Sequence, residues 1–206
     1  MKLWAKGYDL DKDIESFTVG DDYLLDRRLV KYDCAASLAH ARALRKAGLL
    51  TSGELKEIIA GLEEILALDA AGEFRIRPED EDCHTAIESR LTARYGAAGR
   101  KVHTGRSRND QVLTALRLYE RDALAEMKAA LAAFAGACKK LAAKQGGTAL
   151  PGYTHTRRAM PTTAGAWLGC FAAAAADDSG HADFLMKLLD QPRWARPPAS
   201  ACLCSG

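Results

Sequence analysis

The sequence predicts an all-α fold, and three features of its residue pattern support that class. Apolar residues recur every three or four positions over long stretches, which is the spacing of one buried helix face. Alternation of apolar and polar residues, which would indicate strands, never continues for a useful length. Glycine and proline cluster between the periodic stretches, where they separate one helix from the next. We therefore expect packed helices with almost no sheet.

The first part of the chain is predicted to contain an arm and two helices. Residues 1–22 lack a clear period and are expected to form an extended arm. A helix is predicted from about Asp22 to Gly48, because its apolar residues keep the helical spacing and glycine is typical of a helix end. A second helix begins with the capping box Thr51–Glu54 and ends near residues 70–73.

Three more helices follow. A short one is predicted at 85–95, with Gly96 and Gly99 ending it. The stretch 110–144 contains no proline, and its apolar residues recur at three to five positions, so we predict one long helix. At 1.5 Å per residue it would be roughly 50 Å long and would need long neighbours to cover its apolar face. A last helix is predicted at 162–190.

Length and charge limit the possible partners. A chain of 206 residues with 48% hydrophobic residues is long enough for a core and for one or two domains. Lysine and arginine number 29 against 27 acids, so no global field would attract nucleic acid or an anionic membrane. The N-terminus lacks the apolar core of a signal peptide, and the weakly charged run 159–176 contains Pro161. We expect a cytoplasmic protein with neither partner.

Cysteine usage gives no indication of a metal site. Four of the six cysteines lie far apart on helical stretches and are expected to be reduced core thiols: Cys34, Cys83, Cys138 and Cys170. The other two, Cys202 and Cys204, have no histidine or further cysteine at zinc-ligand spacing. We predict no metal and no cofactor.

Two polar loops flank the long helix. In the first, 101–112, Arg106 and Arg108 offer forked donors that suit the carboxylates of a small substrate. Neutral donors and acceptors accompany them: Thr104, Ser107, Asn109 and Gln111. From the residues alone the simpler interpretation is a polar turn, in which Ser107 and Asp110 cap the helix.

The second polar loop, 151–161, contains a histidine between glycine and proline. His155 would donate or accept a proton near neutral pH, with Thr154 beside it. The simpler interpretation is a histidine on a surface loop. His40 and His181 lie on helical patterns and are interpreted as structural.

Three segments resemble the signature blocks of argininosuccinate lyases, which belong to the fumarase/aspartase family of helical lyases. His103–Gln111 resembles the first block, and Gly152–Pro161 resembles the second, with Arg157 where members usually have glutamine. Glu81–Glu88 is similar to a run that reads Glu-Asp-Ile-His-Thr. The resemblance extends from about Leu3 to Gln191.

The resemblance implies a fold and an activity. It implies a fumarase/aspartase-like N-terminal helical domain over 1–109 and part of a long central helix bundle over 110–190. The implied reaction is cleavage of argininosuccinate into arginine and fumarate by carbon–nitrogen elimination, the last step of arginine biosynthesis, in a homotetramer and without a cofactor.

The resemblance also implies roles for individual residues. Ser107, Arg108 and Asn109 would hold the succinyl carboxylates, Thr154 would assist, and His155 would be a proton-transfer or orienting group. Four further residues are candidates for substrate binding: Asp82, His84, Asp22 and Asp26. From the residues alone, Asp82 is instead a helix cap and His84 a packed, hydrogen-bonded histidine. Asp22 stands where many members have serine.

The end of the chain departs from the family. The family's third signature, a flexible loop carrying the serine base, is absent from this sequence. Residues 191–206 lose the helical pattern, and we hypothesise a frameshift near Gln191, with a natural disordered tail as the alternative. Three functions therefore stay open: a lyase with a longer product, a catalytically silent helical fragment that self-associates or binds lyase subunits, and an adenylosuccinate-type lyase, which fits the first block less well.

Overall fold

The computed structural model of this protein describes residues 11–191, and helices form most of that part of the chain. Eight α-helices are present there: α1 (Lys12–Val19), α2 (Asp22–Leu25), α3 (Val30–Lys46), α4 (Ser52–Ala70), α5 (Cys83–Tyr95), α6 (Ala97–Arg100), α7 (Arg108–Gln145) and α8 (Ala164–Leu189). Three 3₁₀ turns occur at Asp26–Arg28, Pro78–Asp80 and Lys101–His103. The prediction of an all-α fold is confirmed.

The little sheet in residues 11–191 consists of four two-residue strands: β1 (Ala149–Leu150), β2 (Tyr153–Thr154), β3 (Arg157–Arg158) and β4 (Thr162–Thr163). β1 pairs antiparallel with β4, and β2 pairs antiparallel with β3. The last helix therefore begins at Ala164 instead of Thr162, because Thr162 and Thr163 are strand residues and Thr163 caps the helix through its hydroxyl.

The extended arm predicted for residues 1–22 is wrong over its described part. Residues 12–19 form α1, whose first turn is capped by Asp11, since a carboxylate oxygen of Asp11 accepts the N–H groups of Asp13 (2.9 Å) and Ile14 (3.3 Å). The sequence pattern missed this helix because eight residues are too few to establish a period. Residues 1–10 of the predicted arm lie outside the described residues.

The helix predicted over 22–48 is interrupted. The chain forms α2, then a 3₁₀ turn in which the N–H of Leu29 donates to the carbonyl of Asp26 at 2.8 Å, and only then α3. Gly48, with φ of +77°, follows the end of α3, as predicted. Gly99, which was expected to end a helix, instead lies inside α6.

Residues 11–119 form one compact unit. Its core contains buried apolar side chains from α3, α4 and α5 and from the segments beside them: Val30, Cys34, Ala41, Leu44, Leu50, Ile58, Leu62, Ile65, Phe74, Ile76, Cys83, Ala86, Ile87, Leu91 and Val102. Each fully buried isoleucine or leucine contributes about 1.5–3 kcal/mol. These three helices hold the first polar loop in place.

Two glycines allow close packing in this unit. A β-carbon added to Gly61 on α4 would lie 2.5 Å from Cδ2 of Leu91 on α5. One added to Gly99 on α6 would lie 2.3 Å from the backbone oxygen of Leu91. The second contact is the stricter constraint, because backbone cannot move aside as a side chain can.

The predicted capping box of α4 is confirmed. The hydroxyl of Thr51 accepts the N–H of Glu54 (3.2 Å), and the carboxylate of Glu54 accepts the N–H of Thr51 (2.8 Å). The same carboxylate accepts a hydrogen bond of 2.6 Å from Nζ of Lys101. The hydrogen bond from Lys101 and those with Thr51 lower the pKa of Glu54 from 4.5 to about 2.

Residues 120–191 form a second compact unit, in which the later part of α7 and α8 run antiparallel. Lys128 pairs with Asp183, and the rings of Phe134 and Phe171 meet edge to face at 6.5 Å. Most of the buried apolar residues of this unit are alanines of α8. Cys170 is exposed, so the expectation of a buried thiol is wrong there, while Cys34, Cys83 and Cys138 are free and buried.

The division between these units falls inside α7. The predicted boundary between residues 109 and 110 stays a prediction, and the predicted tail 191–206 lies, after Gln191, outside the described residues. Among residues 11–191, no helix has both the length and the hydropathy that a membrane span needs.

The packing at Gly99 leads to a stability prediction. Gly99→Ala is expected to lower the free energy of unfolding by about 1–3 kcal/mol, because the new methyl group would overlap the Leu91 backbone. Gly53→Ala is the matched control, since its β-carbon would meet nothing nearer than the Thr51 hydroxyl at 3.9 Å. Urea unfolding followed by circular dichroism measures both, and equal midpoints would contradict the packing argument.

The carboxylate of Glu54 leads to a pH prediction. Its pKa is lower in the folded state than the ordinary 4.5, so its stabilising effect is complete above pH 4.5 and is lost as the pH falls toward about 2. Glu54→Gln keeps a capping oxygen but removes the charge. We expect the difference in melting temperature between wild type and this variant to shrink over that range, and Glu57→Gln, at an exposed glutamate of the same helix, is the control.

Candidate active site

The centre of the unit formed by residues 11–119 is a buried carboxylate. Asp33 on α3 is fully buried, and Nε2 of Gln111 donates to both of its oxygens, at 3.1 and 2.9 Å. The hydroxyl of Ser37 donates to Oδ1 of Asp33 at 3.2 Å, and Nδ1 of His84 lies 3.0 Å from Oδ2 of Asp33. Burial acts to raise the pKa of Asp33, but His84, Arg106 and Gln111 together hold it below its ordinary value.

Asp33 and Ser37 were not among the candidates that the sequence indicated. They lie one helical turn apart on α3, beside the buried positions Val30, Cys34 and Ala41. A polar pair at that spacing on an apolar face was the available signal, since buried polar groups are hydrogen-bonded in native proteins.

The two arginines of the first polar loop are anchored inside this network. One terminal nitrogen of Arg106 donates to the hydroxyl of Ser37 at 2.8 Å. NH1 of Arg108 donates to Glu88 at 3.1 Å and to the side-chain oxygen of Gln111 at 2.9 Å. NH2 of Arg108 lies 3.4 Å from the hydroxyl of Thr85, and the side chain stays 23% exposed. The guanidinium of Arg108 is therefore fixed in orientation while part of it reaches solvent.

Glu88 on α5 balances this positive charge. Besides its bond with Arg108, its carboxylate lies 3.2 Å from Nδ1 of His103. Burial acts to raise the pKa of Glu88, but His103, Arg108 and Arg106 outweigh that effect and lower it. Burial lowers the pKa of Arg106 despite the nearby acids Asp33 and Glu88.

The start of α7 has the predicted capping geometry. The hydroxyl of Ser107 accepts the N–H of Asp110 (3.2 Å), and the carboxylate of Asp110 accepts the N–H of Ser107 (3.0 Å). The Ser107 hydroxyl also donates to the same carboxylate at 2.9 Å. Asn109 lies next to this cap with an exposed side chain. The simpler interpretation of the loop as a helix cap is thus correct for Ser107. Asn109 takes no part in the cap and faces solvent.

The acidic candidates gather at the start of α5. The carboxylate of Asp82 accepts the N–H of Thr85 at 2.6 Å and so caps the helix, as the residues alone suggested. Asp26 accepts the N–H of Cys83 at 3.2 Å, and its partial burial raises its pKa. Asp22, on α2, is exposed, and its charge also acts to raise the pKa of Asp26. His84 is buried, which matches the packed interpretation.

Thr154 and His155 lie in the unit formed by residues 120–191, on the hairpin of β2 and β3. Thr154 pairs with Arg157 across the hairpin, and the side chains of Thr154, His155 and Arg157 are exposed. The two turn residues, His155 and Thr156, have φ of +47° and +64°, which places both in the left-handed region. That conformation is rare for a β-branched residue and marks backbone strain. The histidine is therefore presented to solvent on a tight, strained turn.

Comparison with known proteins assigns the family. A family profile described as a lyase matches residues 10–193. This chain belongs to the lyase family. The argininosuccinate lyase of Thermotoga neapolitana is 46% identical to it over 190 residues, a match that covers 92% of this chain and 48% of that protein. The lyase-family chain thus spans about half the length of the curated relatives it matches, and its predicted resemblance to argininosuccinate lyases is confirmed.

Solved structures confirm the fold of this member of the lyase family. The fumarate lyase:delta crystallin of Brucella melitensis superposes with a TM-score of 0.70 at 20% identity, over 86% of this chain and 46% of that one. An EDDS lyase variant with bound fumarate gives 0.68 at 27% identity, over 89% of this chain and 36% of that one. Both agree with the fumarase/aspartase-like fold predicted from the signature blocks.

The network around Asp33 leads to a prediction about Gln111. Gln111→Met keeps the size of the side chain but removes two hydrogen bonds to a buried carboxylate, so we expect the free energy of unfolding to fall by about 1.5–3 kcal/mol. Gln145→Met is the control, because Gln145 is exposed at the end of α7 and the change should stay within about 0.5 kcal/mol. Denaturant titration measures the unfolding midpoints of both variants. Similar midpoints would contradict the prediction that the hydrogen bonds of Gln111 to Asp33 stabilise the fold.

Proposed function

We propose that this protein acts as an argininosuccinate lyase, which cleaves argininosuccinate into arginine and fumarate in the last step of arginine biosynthesis. The observation that carries the proposal is the 46% identity over 190 residues with an argininosuccinate lyase. The structurally similar EDDS lyase variant has bound fumarate, and fumarate is one of the two products of the proposed reaction, which supports the product class.

The proposed reaction is an elimination. A base removes a proton from the carbon next to a carboxylate, the resulting carbanion is stabilised as an aci-carboxylate, and an acid protonates the departing guanidinium nitrogen. The protein must therefore hold two carboxylates, stabilise the negative charge that develops on one of them, and position groups for two proton transfers.

Arg108, Ser107 and Asn109 are proposed to hold the succinyl carboxylates. The fixed orientation of Arg108, which Glu88 and Gln111 maintain, supports this role, since a guanidinium held in place before binding loses little freedom when it pairs with a carboxylate. Asn109 supports it through its exposed amide at the helix start. Ser107 supports it less directly, because its hydroxyl already caps α7.

Thr154 and His155 are proposed to serve in proton transfer. The exposed imidazole of His155 on a tight turn suits proton exchange with a bound substrate, because a positioned imidazole can act as a general acid or base. Asp22, Asp26, Asp82 and His84 remain proposed substrate-binding residues. The burial of His84 beside Asp33 favours an indirect role, in which the ring orients its neighbours.

Assembly as a homotetramer in the cytoplasm is part of the proposal. Large apolar side chains of the unit formed by residues 120–191 support self-association, because they are exposed on α7 and α8: Met127, Phe134, Leu141, Trp167, Phe171, Phe184 and Leu185. Further copies of the chain would cover such a surface. Size-exclusion chromatography with light scattering gives the mass of the assembly.

One alternative has an observation in its favour. A catalytically silent helical fragment that only self-associates or binds lyase subunits is the competing proposal, and the exposed apolar side chains of α7 and α8 favour it, because a partner subunit would cover them. An adenylosuccinate-type lyase is disfavoured by the first block, which reads Thr-Gly-Arg-Ser-Arg-Asn-Asp.

The decisive experiment is an assay of fumarate release from argininosuccinate by the protein that the native gene encodes. The coding DNA is resequenced beyond Leu188, and the intact mass of the purified protein is measured. Arg108→Lys is expected to lower kcat/KM by about tenfold or more, because a point charge cannot replace the forked donor. Arg90→Lys, at an exposed ion pair with Glu64, is the control and should keep wild-type kinetics.

Each result of the assay separates the proposals. Release of fumarate from argininosuccinate, but not from adenylosuccinate, supports the proposed lyase. Absence of turnover by a product of confirmed mass favours the silent protein. Equal kinetics for Arg108→Lys and Arg90→Lys would remove Arg108 from the substrate site without excluding the activity.

A further inference from the structure

Three side chains with different ligand atoms meet where the turn after α2 contacts the start of α5. A carboxylate oxygen of Asp26, the sulfur of Cys83 and a ring nitrogen of His84 all lie within 4.8 Å of one another. Cys83 and His84 are fully buried, and Asp26 is partly buried. The hydrogen bond of 3.2 Å from the N–H of Cys83 to Asp26 holds the two chain segments together.

The two nitrogens of the His84 ring have different surroundings. Nδ1 lies 3.0 Å from the carboxylate of Asp33. Both ring nitrogens are buried, and neither makes a hydrogen bond of normal geometry within residues 11–191. Buried polar atoms without a partner are rare because they lose the hydrogen bonds that water would give them. A ring that faces a carboxylate on one side and has a free nitrogen on the other is the arrangement of a metal-ligating histidine.

We propose that Asp26, Cys83 and His84 bind one zinc-type divalent ion, with Asp33 orienting the histidine. The proposal does not depend on the lyase activity. It departs from the sequence-based expectation of no metal, which relied on the absence of the usual cysteine and histidine spacings. Here the third ligand comes from a turn 57 residues before Cys83, so spacing alone carries no signal.

The donor set selects the class of ion. Sulfur, imidazole nitrogen and carboxylate oxygen together suit Zn²⁺ or Co²⁺, whereas Mg²⁺ and Ca²⁺ prefer oxygen ligands alone. Thiolate and carboxylate would supply two negative charges against the two positive charges of the ion. Zinc sites with three protein ligands keep a fourth position for water, and the partial exposure of Asp26 provides a side open to solvent.

Cys83 supplies the sulfur ligand of the proposed site. The cysteine is also the most informative ligand for a test, because a thiolate bound to Co²⁺ gives a charge-transfer absorption in the near ultraviolet that oxygen and nitrogen ligands do not give.

The test is a titration of the full chain with Co²⁺, followed by absorption spectroscopy, and with Zn²⁺, followed by thermal melting. Cys202 and Cys204 are changed to serine in every sample, so that tail thiols contribute nothing. We expect one equivalent of Co²⁺ to produce the charge-transfer band, and one equivalent of Zn²⁺ to raise the melting temperature, because an ion that binds only the folded state stabilises it.

Three variants locate the ion. Cys83→Ala is expected to abolish the band, and Asp26→Asn to weaken Co²⁺ binding by about tenfold or more. Cys170→Ala, which removes an exposed thiol from the other unit, should leave both unchanged. If the Cys83→Ala variant does not fold, the Asp26→Asn variant provides the test instead, because the Asp26 carboxylate is partly exposed.

Several results would overturn the proposal. They are the absence of a band at one equivalent of Co²⁺, a band that survives Cys83→Ala, a band that is lost with Cys170→Ala, and wild-type affinity in Asp26→Asn.

Discussion

The polar side of the first compact unit depends on the burial of one carboxylate. A buried ion is tolerated only when hydrogen bonds and opposite charge replace the water it has lost, and Asp33 finds these in Gln111, Ser37 and His84. Because these partners lie on α3, α5 and α7, satisfying one charge fixes three helices relative to one another. The interaction also reaches the first polar loop, since Gln111 in turn accepts a hydrogen bond from Arg108. The shape of the loop thus follows from the requirements of a residue that contacts no solvent.

Most of the helical fold was predictable because long helices repeat their signal many times. α4 and α7 have apolar residues at helical spacing over many turns, and Thr51 with Glu54 marks a start that the structure reproduces. Short elements gave no such repetition. α1 has eight residues and depends on one cap at Asp11, and the strands of two residues depend on pairings across a turn. Such elements are determined by contacts that the local sequence does not record.

The residues of the candidate site that match a signature block could be identified from the sequence. The residues whose role follows from their buried contacts could not. The signature residues Ser107, Arg108 and Asn109 were identified from the sequence, but the partners that orient Arg108 were not. Glu88 lies 20 residues before Arg108, and only the packing of α5 against the start of α7 brings them together. The role of Cys83 was hidden for the same reason. From the sequence alone, a cysteine in a helix is interpreted as a small apolar residue, because its neighbours in space are not known.

The pairing of the loop arginines has a consequence for ionic strength. Arg106 and Arg108 interact with Asp33 and Glu88, so the four side chains together carry no net formal charge. A dianion that approaches this loop meets arginines whose long-range field is already neutralised, and recognition would come from short hydrogen bonds of fixed geometry. Dissolved salt screens distant charges more than it weakens such contacts. Dicarboxylate binding at this loop should therefore depend only weakly on salt concentration, unlike binding at a patch of unpaired lysines and arginines.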